Sequence, residues 1–499
     1  MKKSFNKLVS LFAVMAIVFT VASCGDDDTL PMTPSISNPD TQSVEVGSTI
    51  QVQFDVTTAG GFTSSTATAV NGNATISSNM NAGDLSGSIT VDFTGSAAGA
   101  GAITLSVTDA SGQSKEVTVV ITVAAEIKTI TVSSNITGEV TWETGKTYIL
   151  AGRITVLDQA ILTIEPGTVV KGQAGAGANA TALLVARGGK LNAVGTAALP
   201  IIFTSIADEI TPEDVAAGNL ASPNLTEEVA GLWGGVIVLG KAKISASNTS
   251  GDVSEVQIEG IPTSDPNGLY GGSDDADNSG TISYVSIRHG GTNIGNGNEI
   301  NGLTLGGVGN GTTISNIEIV SNQDDGVEFF GGSVNVSNVV VWNINDDGID
   351  TDQSWSGTLT NFVVIAPNTA GAHAFELDGP EGTFKAGHTI KNGTVLASFG
   401  SRAAENLIDV DLNSVVTLEN IFITGIKAGQ DINKTGAEAP EVVYTKIELN
   451  VASADLQNYV TGTIPAGITA ANTASTGVGA DLTKFSWTWA SKSTAWGSL

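Results

Sequence analysis

The chain has 499 residues, with 21 Lys and Arg against 50 Asp and Glu, a net charge of −29 and a pI near 4.2. Binding phosphate needs basic side chains, so nucleic acid is excluded as a partner, and no nucleotide is expected either. One Cys excludes a disulfide framework and a Cys-based zinc site, and three His leave little room for a His-rich metal centre.

Residues 1–23 read as an export signal. Lys2, Lys3 and Lys7 form a basic start, and Leu8 to Ala22 is apolar but too short for a comfortable membrane span. Val21-Ala22-Ser23-Cys24 resembles the lipobox of bacterial lipoproteins, in which the Cys is lipidated and the chain is cut before it. The only Cys of the chain stands there. The cut removes three Lys and no acid, leaving 18 basic against 50 acidic residues and a net charge of −32. Gly25-Asp26-Asp27-Asp28 resembles the acidic signal that sends Bacteroidetes lipoproteins to the outside of the outer membrane. The resemblances imply lipidation at Cys24, a membrane partner through the acyl chains and an outward-facing protein. Residues 24–35 then form an acidic tether, and no later segment is expected to span a bilayer.

From 36 to 124 the sequence alternates with period two, as in Ile50-Gln51-Val52-Gln53-Phe54-Asp55-Val56 and Val117-Thr118-Val119-Val120-Ile121-Thr122-Val123. Short strands at this spacing predict a β-sandwich. It resembles the Ig-like modules of bacterial surface proteins. It carries no catalytic set and reads as a spacer.

From about 127 to 460 a repeat takes over. An apolar-x-Asn-apolar frame recurs at Asn316, Asn338, Asn361 and Asn420, with first spacings of 22 and 23 residues. A second frame runs in phase at Asn301-Gly302-Leu303-Thr304-Leu305, Asp325-Gly326-Val327-Glu328-Phe329 and Asp347-Gly348-Ile349-Asp350. A period near 22 predicts a right-handed parallel β-helix, a pectate-lyase-like solenoid whose rungs stack about 4.8 Å apart. The fold class is therefore all-β. The Asn column is expected to form a structural ladder. Residues 461–499 lose the frame. Phe485, Trp487, Trp489 and Trp496 cluster there and are expected to cap the open end.

Leu162-Thr163-Ile164-Glu165-Pro166-Gly167-Thr168, Gly231-Leu232-Trp233-Gly234-Gly235 and Tyr284-Val285-Ser286-Ile287-Arg288-His289-Gly290-Gly291 resemble the β-helix surface lipoproteins of Bacteroidetes. The resemblance covers roughly residues 130–499. It implies fold and address, and almost nothing about activity.

Chemistry is expected where carboxylates stack. In Val327-Glu328-Phe329 the apolar pair faces inward and Glu328 outward, and Asp350 and Glu376 follow in phase. Asp324, Asp325, Asp346 and Asp347 form a second column through the turns. Like charges about 4.8 Å apart cannot all stay ionised unless something screens them. Three explanations compete. The column binds Ca²⁺ through Asp324, Asp325, Glu328, Asp347 and Asp350. Alternatively, Asp346, Asp347, Asp350 and Glu376 hydrolyse a glycosidic bond by acid–base chemistry. Or these are solvated turns, since Asp-Gly is a turn dipeptide in its own right. Asn345-Asp346-Asp347-Gly348-Ile349-Asp350 resembles the Asp-rich strand of polygalacturonases. The His-Gly and Arg-x-Lys segments that those enzymes need have no good match, and His388-Thr389-Ile390-Lys391 is a poor substitute.

Asp275 and Asp277 offer a second calcium loop, although Ser286 stands where an EF-hand has Glu. Trp342 fits a core position, whereas Trp355, in a turn, is the candidate sugar platform. A lyase would draw its base and charge neutraliser from Arg288, His289, His373, Lys385 and Lys391. The expected function is binding of an extracellular glycan or surface protein, with Ca²⁺ as the expected cofactor. A polysaccharide hydrolase or lyase, and a purely structural adhesion element, are the alternatives.

Overall fold

The computed structural model describes residues 32–293, 300–367 and 371–499. Cys24, the export signal and most of the tether lie outside them. The chain divides into two compact units, one up to Glu126 and one over Ile127–Leu499. Among the described residues no helix is long and apolar enough to cross a membrane.

The first unit is a sandwich of two four-stranded sheets. Alternate residues of each strand point between the sheets, so Val52, Phe54 and Val56 meet Ile103, Leu105 and Val107 in a buried core. The intervening Thr, Ser and Gln face outward.

The second unit is a right-handed parallel β-helix. Its rungs are carried by a long 15-stranded sheet and a short eight-stranded sheet, both parallel. In the short sheet Leu303–Gly306, Val327–Phe330, Ile349–Asp352, Phe375–Leu377 and Asp409–Val410 pair in turn. The register makes Thr304, Glu328, Asp350, Glu376 and Asp409 one column, while Leu303, Val327, Ile349 and Phe375 stack inside. Period-two alternation combined with a 22-residue repeat produces this phase directly.

Seven consecutive strands of the long sheet, from Gly280–Arg288 to Val442–Leu449, each leave one residue out of the pairing. That residue is Tyr284, Asn316, Asn338, Asn361, Asn392, Asn420 or Lys446, with φ of 52–60°. Asn tolerates this left-handed conformation better than other non-Gly residues, which is why the column is mostly Asn. The amides also link rungs: Asn338 Nδ2 donates to Asn316 Oδ1 at 3.0 Å, and Asn361 Nδ2 to Asn338 Oδ1 at 2.8 Å. The Asn column is thus a ladder and a corner at once.

The C-terminal segment corrects one expectation. The chain adds a last strand, Ile468–Ala470, and then turns back along the outside of the long sheet. Phe485, Trp489, Ala490 and Ala495 bury Val320, Val340, Trp342, Val363, Ile365 and Leu396 there. The aromatic cluster covers a side face, because the outward positions of these strands are apolar and need a partner. Trp342 is buried, but beneath Trp489 outside the solenoid, with ring centroids 5.6 Å apart. At the far end, Leu456, Tyr459 and Ile464 pack against the solenoid core.

Two insertions between rungs, residues 206–235 and 240–279, cover other faces. The helix Pro212–Ala216, started by a Thr211–Asp214 capping box, packs Ile210, Val215 and Leu220 onto Val169 and Ile202. Ile258, Ile261 and Tyr270 pack with Leu184, Ile237, Ile300 and Phe330 on the outside of the short sheet.

Candidate carboxylate site on the short sheet

The outer face of the short sheet changes character along the solenoid. Leu184 and Ile237 lie under the second insertion, and Thr304 follows. The next four rungs then place Glu328, Asp350, Glu376 and Asp409 in one column. Three residues earlier in each rung stand Asp325, Asp347, His373 and Asn406, and two residues later Phe330, Asp352, Asp378 and Asp411. The frame that begins Asp325-Gly326 and Asp347-Gly348 therefore continues as His373-Ala374.

The turn column links rung to rung. Asp325 Oδ1 accepts from the Asp347 backbone N–H at 2.9 Å, and Asp347 Oδ1 accepts a short bond from the His373 backbone N–H. Asn301 Nδ2 donates a short bond to Glu328 Oε2. The donor atoms gather in three groups, each within 4.8 Å: Asp325, Glu328 and Asp350; Asp347, His373 and Glu376; Asp324, Asp325 and Asp346.

Glu328 and Asp350 point away from the solenoid core as expected, yet they are not solvated. They are 7% and 8% exposed, flanked by the strands of the neighbouring rungs. Burial pushes the carboxyls of Asp325, Glu328 and Asp350 well above the carboxylate range, and mutual repulsion adds to it. Burial also lifts Asp347 to about 11, helped by its hydrogen bond with Glu376. Asp352 rises to about 8 and Asp378 to about 7, for burial first and neighbouring acids second. Lys434 reaches only the last rung, 3.4 Å from Asp409 and 4.0 Å from Asp411. Asp350 Oδ1 and Asn301 Oδ1 are buried without a hydrogen-bond partner.

This donor set suits a hard cation. Three carboxylates facing one point, with unpartnered oxygens on Asp350 and Asn301, are ligands that Ca²⁺ accepts. The plain-turn reading fits these residues poorly, since solvated Asp-Gly turns would not be buried.

Other expectations are corrected. Trp355 is fully buried inside the solenoid, stacked on Phe329 at 3.9 Å, with Nε1 donating to the Val334 carbonyl at 3.0 Å. It is no sugar platform. Gln353 and Ser354, with φ of 51° and 59°, re-aim the turn before it. Asp275 and Asp277 are engaged by other partners. Asp275 bonds the Lys243 backbone N–H and ammonium, Asp277 bonds Ser279, and neither joins a three-donor group among the described residues.

Among the lyase candidates only His373 enters the carboxylate site. Arg288 is buried with Glu318 and Ser286 beneath Trp489. His289 Nδ1 contacts the Val229 carbonyl at 2.6 Å. Lys385 pairs with Glu441, and Lys391 sits on the long sheet. His388 packs on Trp355 in the core, where burial lowers its pKa to about 3. Sequence reasoning did not assign Asn301, Asp352, Asp378 or Asp409 to the site. Asn301 and Asp409 stand in phase with Asp325 and Glu376, which it did assign, whereas Asp352 and Asp378 belong to a further column two residues on.

The model of the pectate-lyase-like β-helix domain family matches residues 134–494. The chain belongs to that family. Two solved structures resemble parts of it at a distance. The SrpA adhesin of Streptococcus sanguinis is 19% identical over 20% of this chain, which spans 61% of the adhesin, with a TM-score of 0.18. A family 28 exopolygalacturonase of Yersinia enterocolitica is 11% identical over 77% of this chain and 84% of its own, with a TM-score of 0.25. At those scores neither bears on activity. No curated protein matches the chain. Membership in this β-helix family carries the architecture and leaves the chemistry to the site.

Proposed function

We propose that this β-helix protein is a lipid-anchored outer-membrane protein whose acidic short-sheet face takes Ca²⁺ and, with it, an extracellular glycan. The observation that carries the reading is the buried trio Asp325, Glu328 and Asp350, with an unpartnered Asp350 oxygen and, among the described residues, no ion pair to a Lys or Arg. A cation in place of protons would relieve both the repulsion and the burial cost. Half-buried acids at the rim, Asp324, Asp346 and Glu376, would extend the site toward solvent. The lipobox around Cys24 supports the anchor, and the sandwich then serves as a spacer.

A panel of neutral and acidic polysaccharides in affinity gels tests this reading, with Ca²⁺ and with EDTA. Retardation that needs Ca²⁺ and is lost in Asp350→Asn is the expected result. Equal mobility throughout would leave a scaffold or a protein-binding adhesion element.

One observation favours a second reading, hydrolysis. Burial and a hydrogen bond with Glu376 hold the Asp347 carboxyl far above the carboxylate range, as a general acid requires. Products counted by mass spectrometry after incubation with the same panel, and absent for Asp347→Asn, would establish it.

A further inference from the structure

His373 is the only His of the carboxylate site, and its Nδ1 has an unusual position. The atom is 2.9 Å from Asp347 Oδ1, in a residue only 9% exposed, yet it has no hydrogen-bond partner. Asp347 Oδ1 is already occupied by the His373 backbone N–H, which fixes the two residues against each other. The contact stands at ion-pair distance but lacks hydrogen-bond geometry, and the same separation suits two ligands on one metal ion. With bonds of about 2.1 Å meeting at a right angle, the ligand atoms stand roughly 3.0 Å apart. Glu376 brings a third donor within 4.8 Å of both, from the strand that follows His373.

We infer that Asp347, His373 and Glu376 form a chelating site for a first-row transition-metal dication, separate from the calcium trio one rung earlier. The imidazole sets the metal class. Ca²⁺ takes oxygen ligands, whereas an imidazole with two carboxylates suits Zn²⁺, Fe²⁺ or Co²⁺. The column also explains why the site is local. The same position holds Asp325 and Asp347 on the two preceding rungs and Asn406 on the next, so nitrogen enters at one rung only. Glu376 is the most open of the three and leaves room for water or a substrate oxygen on the metal. The inference does not depend on the calcium reading, because its defining ligand is not in the trio.

Co²⁺ is the probe, since its visible d–d absorption reports ligand type and Zn²⁺ displaces it. The full chain, purified in detergent and stripped of metal, should bind one equivalent of Co²⁺ with visible bands that Zn²⁺ abolishes. His373→Asn, which places the residue of the next rung at this position, should keep the fold and melting behaviour but weaken Co²⁺ binding at least about tenfold. Glu328→Gln should leave the Co²⁺ bands intact while removing the response to Ca²⁺. No visible bands, or equal Co²⁺ affinity in the wild type and a folded His373→Asn, would overturn the inference. A wild type that shows the Co²⁺ bands but no response to Ca²⁺ would count against the calcium trio and leave this site standing.

Discussion

Asn338 shows how one side chain does two jobs. It holds φ at 57° and passes a hydrogen bond to Asn316 while receiving one from Asn361. Asn338→Ala and Asn338→Gly both lose the ladder bonds, but only Ala keeps a Cβ in the left-handed region, which costs ~1–2 kcal/mol. Chemical denaturation should therefore rank wild type above Gly and Gly above Ala. Equal stability of Gly and Ala would show that the corner is not strained. The ladder was legible in the sequence from its spacing, whereas its left-handed backbone was not, because the 22-residue period records position and not dihedral angle. Trp355 was illegible for a related reason. Gln353 and Ser354, both at positive φ, turn the chain so that an apparent turn residue enters the core. The acids were legible as a column but not as buried groups, since exposure is decided by how the stacked rungs pack and not by the local sequence.

Among the elements, the C-terminal segment is the one that sequence reasoning misplaced. Its aromatic residues announced a cover, but nothing in their spacing names the surface covered. The outward residues Val340, Val363 and Ile365 lie in continuous apolar runs, Val339-Val340-Val341 and Phe362-Val363-Val364-Ile365, which already signal strands buried on both faces. Trp489 closes that face, resting on Trp342 and on the Arg288 guanidinium, while the backbone N–H of Ala490 bonds Glu318 Oε1 at 2.8 Å. Trp489→Ala should cost about 3 kcal/mol by the usual measure for a buried aromatic, and should open residues 473–499 to limited proteolysis. If proteolysis of that variant instead began at the solenoid strands, the segment would not be an independent flap on the side face.

For the molecule as a whole, the acidic face sets the pH dependence. Asp352 and Asp378 sit near 8 and 7 in the fold against an ordinary 3.8, so the native chain binds protons that the unfolded chain has released. Stability therefore falls as pH rises from about 4 to about 8, and Asp347 extends the loss toward 11. His388, held near 3 against an ordinary 6.5, works the other way and raises stability between those values. Above pH 6.5 the carboxylates alone remain, and there a cation that takes the place of their protons has its largest effect. The direct measurement is thermal melting of the full chain at pH 8 in EDTA and in Ca²⁺, beside Asp350→Asn. Ca²⁺ at a hundred times its dissociation constant adds about 2.7 kcal/mol, a rise of several degrees in the β-helix transition. That rise should shrink in the variant and at pH 5. A melting temperature indifferent to Ca²⁺ at both pH values would contradict the calcium-binding account of the acidic face.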